Sequence, residues 1–197
     1  MNECYIIDFE TLDVLPTSVV ISFALLPFSE SRYTNRPYTY DELLRSSYYL
    51  KFHVMEQVVT YNRTMNMDTI KWWNNQNDKI KGQIVPKNND LSIDVLYQFL
   101  VDNIDFKSYK KLYSRGNTFD PIILESVLAS CGKQLPMHWG TIRDTRSMIE
   151  GMSFGFPIKH DFIPKGLEQV FIKHNPIHDC AMDVMRMQEV ARAISGV

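Results

Sequence analysis

With 197 residues, of which 45% are apolar and 22% charged, the chain is expected to form one soluble α/β domain over residues 1–197. A formal net charge of −2 excludes a globally basic nucleic-acid binder, but not a nucleic-acid enzyme whose local positive charge comes from divalent metals. The three cysteines, Cys4, Cys131 and Cys180, are too scattered for a disulfide framework; with no apolar run long enough for a membrane and no basic-then-apolar leader, the expected location is the cytoplasm.

Residues 3–9 read as a strand that is apolar almost throughout, hence central and covered on both faces. Residues 19–26 read as a second strand ended by Pro27, and the two pair as an antiparallel ribbon around a loop at 12–16. A Tyr-rich loop at 29–42 carries a helical turn near Asp41, and a third strand covers 48–52. Residues 60–67 show no clear pattern. Asp68 caps a helix that carries Trp72 and Trp73 and dies out in the Asn-rich run 74–78. Residues 82–91 read as loop. Ser92 caps a helix over 93–101, with Ile93, Leu96, Phe99 and Leu100 at helical spacing. A short strand at 111–114 turns at Gly116 into a helix over 121–129, which has Pro121 at an early position and ends at Gly132. Residues 142–145 form a last strand edge and 146–150 a short helix. After a Gly-rich loop at 151–157, residues 164–170 read as another short helix. Pro176 opens the final helix, which runs through about Ala193. Strands come first and then mix with helices, which predicts a mixed sheet flanked by helices.

In a strand, residues i and i+2 face the same side, so Asp8 and Glu10 project together. Adjacent carboxylates repel, and burying them is costly unless a cation or open water offsets the charge. The pair reads as the base of a metal site. Asp120 lies at a strand-to-helix junction, where a helix N-terminus favours a carboxylate. His178 and Asp183 are five residues apart, which is about 140° within a regular helix. They face one cleft if His178 sits on the loop or first turn and Asp183 one turn in. Together, four carboxylates and one histidine suit phosphodiester hydrolysis. The oxygens would hold two Mg²⁺ or Mn²⁺ ions about 3.5–4 Å apart, and a neutral imidazole would take a proton from water.

The ordered set D-x-E, mid-chain Asp and H-x4-D resembles the DEDDh 3′–5′ exonucleases, and within them the phage DexA-type branch. The resemblance is carried by Ile6-Ile7-Asp8-Phe9-Glu10-Thr11, Thr69-Ile70-Lys71-Trp72-Trp73 and Arg115-Gly116-Asn117-Thr118-Phe119-Asp120-Pro121-Ile122. Arg143-Asp144-Thr145-Arg146, Pro164-Lys165-Gly166 and Ile177-His178-Asp179-Cys180-Ala181-Met182-Asp183 complete it, so it spans nearly the whole chain. It implies an α/β, RNase H-like mixed sheet, with Asp8, Glu10, Asp120 and Asp183 as metal ligands and His178 as general base. The implied partner is a single-stranded nucleic acid whose 3′ end sits at the metals and is released as nucleoside 5′-monophosphates. DNA is the first choice; RNA is second, because a related branch contains bacterial exoribonucleases. The rival from another class is a non-catalytic nucleic-acid-binding protein, against which the intact acidic set argues.

Arg115, Arg143, Arg146 and Lys165 are candidate phosphate contacts, Lys165 foremost for its tight Pro-Lys-Gly setting. Singly, each is as readily a solvated surface residue. Phe9, Thr11 and Phe119 adjoin the acids and are substrate candidates, although Phe9 and Phe119 read first as core. Trp72 and Trp73 also read first as packing residues, with base stacking the alternative. Standing about 100° apart on a helix, they should not share one job. Asp179 is expected to face solvent. His138, His160 and His174 carry no assigned role, and His174 is the rival to His178 as base.

Overall fold

The computed structural model describes residues 3–154 and 158–196. Its strands are β1 (Cys4–Thr11), β2 (Val20–Phe28), β3 (Tyr48–Lys51), β4 (Lys111–Ser114) and β5 (Ile142–Asp144). They form one mixed sheet in the order β3-β2-β1-β4-β5, with β1 at the centre. The β1–β2 and β2–β3 pairs are antiparallel, and the β1–β4 and β4–β5 pairs are parallel.

Alternation along β1 decides which side chain faces which layer. Cys4 and Ile6 enter a core shared with Ala24, Leu26 and the long last helix, α9 (Pro176–Ser195). Tyr5, Ile7 and Phe9 turn to the other face, where they pack with residues of α6 (Val95–Asn103) and α7 (Asp120–Ser130). Asp8 and Glu10 continue the first series, on the α9 side at the carboxyl end of β1. Two features open the sheet there. The β1–β4 ladder stops at Ile6 opposite Tyr113, and the β1–β2 register shifts between Glu10 and Thr11. Strand irregularities of this kind are frequent beside active sites.

The remaining helices are α1 (Arg32–Asn35), α2 (Tyr40–Ser46), α3 (Val54–Tyr61), α4 (Met67–Asn74), α5 (Asp78–Ile84) and α8 (Thr145–Met152). Several local expectations are corrected. Pro27 lies inside β2 rather than ending it: β3 pairs only with Ser22–Leu25, so the far end of β2 tolerates a residue without an N–H. Asn66, not Asp68, caps α4, its side chain accepting from the N–H groups of Asp68 and Thr69. Helix α6 begins after Asp94, and the Ser92 hydroxyl bonds Glu56 instead. Helices α3 and α5 were not foreseen. Val54, Val58 and Val59 are β-branched and weaken the helical signal of α3. A tertiary contact compensates: the Gln57 side chain bonds both the N–H and the C=O of Val20. Residues 164–170, expected as a helix, are successive turns with Gly166 at φ 89°. Of the loop expected at 151–157, residues 155–157 lie outside the described residues. Among the described residues, no helix is long and apolar enough to cross a membrane.

Candidate active site

The carboxyl end of β1 opens into a cleft of about 480 Å³. Asp8 and Glu10 meet Asp179 from the first turn of α9 there; one oxygen of each lies within 4.8 Å of the others. Asp120, the first residue of α7, lines the same cleft, and its Oδ1 accepts from the Phe9 N–H at 3.0 Å. An acid in the first helical turn suits the positive end of the helix. His174 also lines the cleft. It precedes α9 with a left-handed backbone, φ 63°, and its ring stands edge-on to Trp72 at 4.8 Å and to Trp73 at 6.5 Å.

Burial raises the pKa values of all four acids, and their crowding adds to it. Burial, then repulsion from Asp120 and Glu10, holds Asp8 well above the ordinary range. Burial and Asp179 do the same to Glu10. Burial pushes Asp120 and Asp179 up to about 7. His174 moves the other way: burial and Lys173 disfavour its proton. The sign for stability follows from linkage. A carboxyl whose folded pKa is raised favours the folded state at low pH, and that advantage is lost as pH rises through the folded value. For Asp120 and Asp179 the window runs from the ordinary 3.8 to about 7. The melting-temperature gain that Mg²⁺ gives to EDTA-treated protein is therefore expected to grow from pH 5 to pH 8. A gain independent of pH would show that the ion binds elsewhere.

Two residues expected to face the metals, His178 and Asp183, are not in the cleft lining, although Asp183 lies directly behind Asp8 and Asp179. His178 and Asp183 are both inside α9, where five residues turn about 140°, so their side chains diverge. His178 Nδ1 shares a 2.9 Å hydrogen bond with the Tyr40 hydroxyl. Asp183 is 1% exposed. It accepts from Arg115 Nη1 at 2.5 Å, Arg186 Nη1 at 2.7 Å and Thr145 Oγ1 at 2.5 Å. The same H-x4-D spacing occurs four residues earlier, at His174 and Asp179, and that pair reaches the cleft. Asp179 is thereby corrected from solvent to cleft. A signal for this choice was present in Pro176, which favours the first helical turn and leaves His174 outside the helix.

Arg115 and Arg146 line the cleft, together with His160, Lys173 and Arg186. Arg143 does not: its guanidinium bonds the carbonyls of Gly140 and Ile142 beside a separate groove that it shares with Trp139. Lys165 is exposed on its turn and is also outside the cleft lining. Phe9 is buried against Phe23, while Phe119 is half-buried at the cleft edge. The Thr11 hydroxyl is spent on the Asp13 carbonyl at 2.7 Å, and its own carbonyl accepts from Trp73 Nε1 at 2.9 Å. That bond fixes Trp73 in the core at 2% exposure, whereas Trp72 is 42% exposed beside the cavity next to Glu10 and Phe119.

Known proteins resemble this chain in sequence and in fold. The pattern of the 3′–5′ exoribonuclease Rv2179c-like domain matches residues 3–191. An exodeoxyribonuclease of Enterobacteria phage T4 is 30% identical over 212 residues, which cover 98% of this chain and 91% of the phage protein. Among solved structures, the zinc-bound ExoI–ssDNA complex of E. coli superimposes with a TM-score of 0.59 at 10% identity. That match covers 98% of this chain and 40% of ExoI, so the chain spans less than half of the ExoI length. The nuclease domain of 3′hExo, a DEDDh family member bound to rAMP, gives a TM-score of 0.52 at 12% identity, over 99% of this chain and 94% of that domain. At these identities the two structures show a common fold, the RNase H-like mixed sheet. The chain belongs to the 3′–5′ exoribonuclease Rv2179c-like domain family and is a 3′–5′ exonuclease built on the DEDDh nuclease fold.

Proposed function

We propose that the cleft removes nucleotides from the 3′ end of single-stranded DNA and releases nucleoside 5′-monophosphates. The observation that carries this is the convergence of Asp8, Glu10 and Asp179 within 4.8 Å, with Asp120 and His174 on the same cleft. Among the described residues, none of these four acids forms an ion pair with a lysine or arginine. An uncompensated, oxygen-only donor set fits Mg²⁺ or Mn²⁺. Asp8, Glu10, Asp120 and Asp179 would hold two such ions, which when bound lower the pKa of a water and offset charge on the leaving oxygen. His174, kept neutral by burial and by Lys173, accepts the proton of the attacking water. Basic side chains on the cleft wall face the phosphates of the strand.

DNA is favoured by the likeness to the phage exodeoxyribonuclease along 98% of the chain. RNA is the second reading, supported by the description of the family as an exoribonuclease domain. The test uses 5′-labelled single-stranded DNA and RNA of one sequence, with Mg²⁺ or Mn²⁺. Expected is a ladder that shortens from the 3′ end, faster on DNA, and no cleavage in EDTA. Faster cleavage of RNA would move the substrate to RNA, and full activity in EDTA would sink the metal reading.

A further inference from the structure

Residues 158–175 contain no helix or strand, yet they supply much of one wall of the cleft, including His160, Ile163, Phe171 and His174. A wall of this kind needs side-chain anchors. The anchor is Asp183, buried behind the acids and gripped by Arg115 and Arg186. Arg186 spends its other donors on the wall itself: Nε bonds the Phe162 carbonyl at 2.7 Å and Nη2 the Asp161 carbonyl at 3.2 Å. It borders the cleft, but its side chain is 6% exposed and all three of its nitrogens bond the protein, so it serves as a tie.

Arg115 is placed differently. Its side chain is 21% exposed and lines the cleft beside Asp8 and Asp120. Nη1 is held by Asp183 at 2.5 Å, and Nη2 donates to His160 Nδ1 at 3.0 Å. Among the described residues, Nε has no hydrogen-bond partner. Two guanidiniums share the single Asp183 carboxylate, so that carboxylate alone does not neutralise them. A planar guanidinium held through both Nη atoms at the cleft edge, with N–H groups to spare, suits a phosphate oxyanion. Arg146 also lines the cleft but is exposed and forms no ion pair among the described residues. The orientation of Arg115, by contrast, is set before substrate arrives.

Resting on the exonuclease reading of the cleft, we infer that Arg115 binds the phosphate of the nucleotide being released and that Asp183 is the positioning residue that aims it. Asp183 then serves the reaction through an arginine rather than through a metal.

The test is binding of thymidine 5′-monophosphate and of thymidine, each titrated calorimetrically with Mg²⁺ present. Arg115→Ala is expected to weaken the monophosphate roughly tenfold or more, the scale of a hydrogen bond to a charged group, and thymidine less than about threefold. Arg115→Lys keeps the charge but not the planar fork, and is expected to remain several-fold weaker than the parent for the monophosphate. Asp183→Asn, used at a temperature where circular dichroism shows it folded, is expected to weaken the monophosphate selectively although Arg115 is still present. Equal losses for both ligands in Arg115→Ala would mean a loosened wall and overturn the proposal. So would an Arg115→Lys protein that binds like the parent, or a folded Asp183→Asn protein with parental affinity. Turnover is not needed for this measurement. A parent that binds the monophosphate selectively but cuts nothing would defeat the hydrolytic reading and leave Arg115 to be judged by its variants; a parent that does not distinguish the two ligands overturns the Arg115 proposal itself.

Discussion

Asp179→Asn is expected to slow hydrolysis about a thousandfold if Asp179 holds a metal as proposed, because that loss would remove several kcal/mol of charge stabilisation in the transition state. The same substitution should raise the melting temperature of EDTA-treated protein at pH 8. Asp179 sits with Asp8 and Glu10 in one crowded cluster, and burial pushes its carboxyl up to about 7. An amide in its place removes a charge that the metal-free fold opposes. Initial rates on a 5′-labelled oligonucleotide and thermal melts read the two effects. A near-parental rate would remove Asp179 from the site, and a lower melting temperature would mean that its charge is compensated by the protein.

Asp183→Asn should act mainly on the fold. Its carboxylate bonds Arg115, Arg186 and Thr145, and Arg186 is almost wholly buried. Breaking a buried ion pair from one side leaves an uncompensated charge and costs about 3–5 kcal/mol. Urea denaturation of the parent and the variant measures this. A difference below about 1 kcal/mol would show that the network contributes little to stability. The two aspartates stand one helical turn apart, so the pair of experiments separates an acid aimed at the cleft from one aimed at the interior.

How far the sequence foretold the structure depended on whether local pattern or tertiary contact decides each element. The central place of β1 was legible because its apolar run is nearly unbroken, which marks a strand buried on both faces. Residues Asp8 and Glu10 followed from strand alternation, and Asp120 from its place at a strand-to-helix junction. By contrast, α3 depends on the Gln57 contact with Val20, which no local window shows. The segment at 158–175 is held by arginines distant in sequence, so its turns resembled a helix over 164–170.

Overlap hid the last motif. His174 with Asp179 and His178 with Asp183 have identical spacing, and spacing alone cannot choose between them. Helix phase does. Because α9 starts at Pro176, His178 is already helical and diverges from Asp183, whereas His174 lies on the approach and is free to face the cleft. One further turn into the helix, Asp183 meets Arg115 and Arg186 instead of the other acids. Arg143 stands out through the Arg143-Asp144-Thr145-Arg146 segment and Lys165 through its Pro-Lys-Gly turn, and neither reports the direction of a long side chain.

The choice between the two histidines is the most direct test of the site. Single-turnover cleavage of a 5′-labelled single strand should be compared for His174→Ala and His178→Ala at saturating Mg²⁺. Removing a general base costs about 10²–10⁴ in rate. The expected result is a loss of that size for His174→Ala and a loss below about tenfold for His178→Ala, whose imidazole is engaged with Tyr40. The reverse order, with His174→Ala near the parental rate and His178→Ala crippled, would contradict the account.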